Sequence, residues 1–107
     1  MSYKKRDKRE LFNQFCLVRD EYECRVCKAT ENLEVHHIID RHEIPNGGYV
    51  KENGITLCPS CHIKAEEYHK TNNINFIPNY HPDDLFKLIN SSKELAIMVA
   101  TTDISNL

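Results

Sequence analysis

Two cysteine pairs thirty residues apart, CRVC at Cys24 to Cys27 and CPSCH at Cys58 to His62, constrain this chain more than any other feature. Two C-x2-C turns are a common way to bring four thiolates to one point, where a soft metal ion holds them tetrahedrally at zinc-sulfur distances near ~2.3 Å. The intervening residues then form a closed loop. A secreted domain would use such pairs for disulfides, but the N-terminus MSYKKRDKRELFNQF contains no apolar run of signal-peptide length. The expectation is a reduced, cytoplasmic protein in which Cys24, Cys27, Cys58 and Cys61 bind a structural Zn2+.

Size makes the same demand. With 107 residues, a single domain buries only about 65% of the surface its unfolded chain exposes. Zinc in a small site adds folding free energy on the order of 10 kcal/mol. The fifth cysteine, Cys16, sits in LFNQFCLV and reads as a small buried hydrophobe. The longest apolar run, LAIMVA at 95 to 100, is far too short to span a bilayer, so no membrane partner is expected.

The formal net charge of −2 does not advertise a nucleic-acid binder, but its distribution is uneven. Residues 1 to 9 hold Lys4, Lys5, Arg6, Lys8 and Arg9 against Asp7, a net of +4 that leaves −6 for the rest. A basic arm suits phosphates, and a solvated helix start explains so short a run equally well.

The organisation reads as one domain over 1–107. A helix over about 7–19 spaces Leu11, Phe15 and Val18 at i, i+4 and i+7. A core over about 20–69 follows, in which Leu33 to Ile39 reads as a strand and Asp40 to Lys51, with Pro45, Gly47 and Gly48, as a loop. Gly54 to Leu57 is the returning strand, and Pro59 opens a helix running to about His69. A helical extension over about 82–101 begins at Pro82, with Ser91 and Glu94 as a capping box for its last helix. These C-terminal helices are expected to pack on the N-terminal one.

Zinc needs only the four cysteines, which leaves His36, His37, Asn53 and His62 without a structural purpose. The run CRVC, then LEVHHI, then ENGITLCPSCH resembles the zinc-containing HNH endonucleases found in many phage and bacterial proteins. The similarity covers roughly residues 12 to 69. It implies an α+β domain with the ββα-metal fold of the His-Me finger kind, in which a hairpin and a helix clamp one divalent cation while a four-cysteine zinc and flanking helices support them. The three letters fall on His37, Asn53 and His62.

That resemblance implies a DNA endonuclease hydrolysing phosphodiester bonds with Mg2+ or another divalent cation. His37 is the expected general base, since an imidazole with a pKa near ~6.5 suits that task at cellular pH. His36 and His62 are the expected metal ligands. Adjacent strand residues point to opposite faces, so one histidine binds and its neighbour deprotonates. Asn53 is implied to brace the hairpin loop, although Asn before Gly is also an ordinary turn. The third ligand stays open among Glu66, His69 and water, His62, Glu66 and His69 sharing a helix face, with Asp40 a further candidate. Arg41, Tyr49 and Lys51 lie on a loop suited to phosphate contacts, with His42 beside them, and His81 reads as a helix-start residue. Sequence specificity in so small a chain is absent or supplied by a protein partner. The rivals are a zinc-stabilised module that binds nucleic acid without cutting it and a zinc-stabilised protein-interaction domain.

Overall fold

The computed structural model of the chain describes residues 5–102, and the first four residues of the basic arm lie outside them. Helix α1 (Lys5–Arg19) leads through the first cysteine pair into strand β1 (Glu34–His37). The loop that follows carries two 3-10 turns, Pro45–Gly48 and Lys51–Asn53, and returns as β2 (Gly54–Leu57). Helix α2 (Pro59–Lys70) starts on the second cysteine pair, and α3 (Pro82–Leu88) and α4 (Lys93–Thr101) complete the chain. The architecture is a small α+β fold built on one antiparallel hairpin, consistent with the ββα-metal class. Among the described residues no helix is long and apolar enough to cross a membrane.

The hairpin pairs Glu34 with Leu57, Val35 with Thr56, His36 with Ile55 and His37 with Gly54. Pleating sends His36 and Ile55 to one face and His37 and Gly54 to the other. The first face lies under α2, where His36 is 2% exposed and Ile55 fully buried. The second lies under α1, so close that a Cβ on Gly54 would sit 2.5 Å from Cys16 Sγ and 2.6 Å from Phe12 Cζ. Only glycine permits that approach.

This contact corrects the expected face of α1. Phe12 and Cys16 form the buried row, while Phe15 and Val18 are 55% and 57% exposed. Helical spacing offers both rows one position apart, and proximity to Gly54 chooses between them. Beyond the helix, buried Asp20 accepts the Thr56 N–H on Oδ2 at 2.9 Å. Arg19 clasps the same carboxylate at 2.8 and 2.7 Å and donates to the Gly54 carbonyl at 2.6 Å. A buried acid persists because pairing and backbone donors replace its water.

The C-terminal packing also departs from expectation. Helix α4 lies chiefly against the two 3-10 turns instead of α1, tied by Asn46 Nδ2 donating to the Ala100 carbonyl at 2.8 Å. Ser92, not Ser91, caps α4, its Oγ accepting the Leu95 N–H at 3.0 Å. Ser91 instead donates to the Glu52 carbonyl at 2.8 Å, which braces the loop between the strands.

Candidate functional site

Two groups of side chains suited to metal ions occur among the described residues. In the first, the sulfur atoms of Cys24, Cys27, Cys58 and Cys61 all lie within 4.8 Å of one another. Cys27 Sγ and Cys58 Sγ are 3.5 Å apart, near the ~3.8 Å edge of a tetrahedron with ~2.3 Å bonds. The Cys27 N–H points at Cys24 Sγ at 3.4 Å and the Cys61 N–H at Cys58 Sγ at 3.5 Å. Burial opposes ionisation at Cys24, but backbone donors, that of Cys27 first, outweigh it and lower its pKa to about 6. Tyr80, buried 19 residues beyond Cys61, adds its O–H to Cys61 Sγ at 3.3 Å. No cysteine here is in a disulfide, and the four can hold a zinc ion.

The second group joins β1 to α2. Glu66 Oε1 stands 3.1 Å from His36 Nδ1 and 3.1 Å from His62 Nε2. All three ligand atoms fall within the same 4.8 Å limit. Contact with the two imidazoles, His36 first, holds the Glu66 carboxyl well below the usual carboxylate range. It is therefore an ionised oxygen donor beside two ring nitrogens, a set that fits a hard or borderline divalent cation. Burial lowers the His36 pKa, opposed by Glu66, and keeps that ring neutral as a ligand must be.

Side chains outside this group aim it. His62 Nδ1 meets Glu34 Oε1 at 2.6 Å, so a carboxylate orients the ring whose other nitrogen faces Glu66. Sequence reasoning missed Glu34, although it lies two residues before His36 and so shares its strand face. His69, another open choice for third ligand, is engaged elsewhere. Its Nε2 donates to the His37 carbonyl at 2.9 Å and its ring stacks on His36 at 5.1 Å.

His37 occupies the opposite face. Its ring packs against Phe12 at 4.5 Å and edge-on to Tyr49 at 4.9 Å, and its Nε2 is buried with no hydrogen-bond partner. Burial first, then the neighbouring His36 and Arg41, pull its pKa down to about 4. Asn53, fully buried, accepts the Ile39 N–H on Oδ1 at 2.9 Å and donates through Nδ2 to the carbonyls of Ile39 at 3.1 Å and Gly48 at 3.3 Å. It closes the loop directly behind His37. Asp40, Arg41 and Tyr49 line the same cleft as His37, His62 and Glu66. Lys51 and His42 are exposed, and His81 Nδ1 accepts the Asp83 N–H at 3.0 Å as the cap of α3.

Residues 24–67, which contain both metal-capable groups, match the family model described as HNH endonuclease. This segment is an HNH domain. Over 52 residues the chain is 40% identical to "Anaredoxin" of Nostoc sp. (strain PCC 7120 / SAG 25.82 / UTEX 2576). The stretch covers 48% of this chain and 62% of that relative, so the chain spans less than two thirds of its length. No solved structure gives a significant match. The HNH domain accounts for the hairpin, α2 and both clusters, while α1 enters from outside the matched segment to wall the cleft with Arg9 and Asn13.

Proposed function

We propose that the protein is a metal-dependent DNA endonuclease that hydrolyses phosphodiester bonds, with His36, His62 and Glu66 holding one Mg2+-like cation and His37 as general base. The supporting observation is the convergence of two imidazoles and an ionised carboxylate, apart from the cysteine cluster, on a cleft that His37 also lines. A divalent cation bound there supplies charge neutralisation at the leaving 3′ oxygen and a template for the phosphodiester.

The chain's own residues do the rest. His37 is neutral at cellular pH, and because its Nε2 is shut in the protein, Nδ1 is the nitrogen that takes the proton from the attacking water. The depressed pKa keeps the ring ready to accept a proton at some cost in basicity. As the water oxygen bonds to phosphorus, the bond to the 3′ oxygen breaks, and that oxygen takes a proton from solvent water, leaving a 5′-phosphate and a 3′-hydroxyl. His69 holds the carbonyl of His37 itself and Asn53 the backbone of Ile39 just after it, so the ring meets the water at a fixed angle.

A zinc-stapled module that grips nucleic acid without cutting it leaves the His36, His62 and Glu66 convergence unused. The readings separate when zinc-loaded protein is incubated with supercoiled plasmid with and without added Mg2+, Mn2+ or Ni2+. Nicked or linear product only with an added ion is expected. Plasmid that is bound yet intact with all three ions favours the binding module.

A further inference from the structure

A cleft of about 350 Å³ beside the second metal-capable group is lined by Arg9 of α1 together with His37, Arg41, Tyr49, His62 and Glu66. Tyr49 is its keystone. Its ring stands edge-on to His37 at 4.9 Å and to Phe12 at 5.7 Å, and Lys8 Nζ lies 5.6 Å from its centroid. Burial raises the Tyr49 pKa, but the guanidinium groups of Arg41 and then Arg9 beside its hydroxyl outweigh that and leave it lowered.

The chemistry of this arrangement is lopsided. Arg9 and Arg41 come from different elements, both are exposed, and both approach one neutral oxygen. Each guanidinium offers five donors in a planar fork, of which a phenol oxygen takes at most two between the pair. Two like charges lining one cleft repel each other. Asp40 lines the same cleft and offsets part of that, while Glu66 is already engaged by His36 and His62. An oxyanion with several acceptor oxygens satisfies the remaining donors, and arginine forks match phosphate in particular.

We propose that Arg9 and Arg41, spaced by Tyr49, clamp a backbone phosphate of duplex DNA immediately beside the phosphodiester that His37 faces. The clamp rests on the endonuclease reading and deepens it by assigning where the strand is gripped. It recruits α1, outside the HNH domain, as the second wall of the substrate groove.

The test is the salt dependence of binding to a labelled duplex of about 20 base pairs, measured by anisotropy with zinc-loaded protein and no added divalent ion. Each neutralised phosphate contributes about 0.9 to the slope of log affinity against log salt. Because the two guanidiniums share one phosphate, Arg9→Gln and Arg41→Gln should each reduce the slope, and the double variant should reduce it by about 0.9. Lys87→Gln, exposed on α3 away from the cleft, should keep the parental slope. Zinc content and far-UV dichroism confirm that the variants are folded. Parental slopes in both arginine variants, or no duplex binding by the parent, overturn the clamp. A plasmid cleavage assay on the same samples keeps the two claims apart. Cleavage with unmoved slopes removes the clamp alone, and reduced slopes without cleavage leave the clamp and remove the nuclease.

Discussion

Cys16, on the buried face of α1, and His37, packed beneath that helix, are each kept neutral by burial, which moves their pKa values in opposite directions. The Cys16 thiol is pushed up to about 12, burial outweighing the opposing pull of Arg19. In the unfolded chain the thiol ionises near pH 9, so above that pH the unfolded state sheds a proton that the folded state keeps. Stability therefore falls as pH rises from about 9 towards 12, by up to ~1.4 kcal/mol per pH unit from this group. Cys16→Ala starts less stable because it leaves a cavity. Its deficit relative to the parent should shrink by about 2 kcal/mol between pH 9 and 10.5 in denaturant titrations. A constant gap over that range would mean that Cys16 is not held as the thiol. At this scale the cysteine quartet is legible in its spacing, and His36, His37, Asn53 and His62 are singled out by the resemblance to HNH endonucleases. Glu34 and Tyr80 are not, since Glu34 meets His62 across 28 positions and Tyr80 meets Cys61 across 19, contacts that only the folded chain creates.

Helix α2 carries the metal argument, because it places His62, Glu66 and His69 one turn apart against β1. The fold separates two residues that sequence spacing leaves equivalent, Glu66 meeting both imidazoles and His69 turning to the β1 backbone. Glu66→Gln should weaken divalent-cation binding by on the order of 10- to 100-fold in calorimetric titration. Glu66→His should shift preference from Mg2+ or Mn2+ towards Ni2+ or Zn2+, since imidazole suits those ions better than carboxylate does. Affinity and preference both unchanged in Glu66→Gln would remove it from the ligand set. Helix α1 marks the limit of reading an element alone. Its apolar residues fit two helical rows, and the choice between Phe12 with Cys16 and Leu11 with Phe15 is made by Gly54, forty-two residues beyond Phe12 in the chain. The same holds for α4, whose cap shifts by one position because the Ser91 hydroxyl is drawn to Glu52.

For the whole molecule, the cysteine cluster and the hairpin form one mechanical unit. The cysteine pairs flank β1 and β2 in sequence, so a metal there pins the ends of the strands that present His36 and His37. Cys58 is a candidate ligand and also caps α2 through the Cys61 N–H. Its replacement by serine should release zinc and abolish cooperative unfolding, as expected when metal binding supplies on the order of 10 kcal/mol. A Cys58→Ser protein that unfolds cooperatively without zinc would show that the fold does not depend on the cluster. The proposed chemistry divides labour across one strand, with metal ligation on the α2 face and proton abstraction on the α1 face. It is tested most directly by measuring plasmid cleavage and divalent-cation affinity on His37→Ala alongside the parent. The account predicts cleavage reduced by on the order of 10²-fold or more with affinity nearly unchanged, whereas parental cleavage by His37→Ala would contradict it.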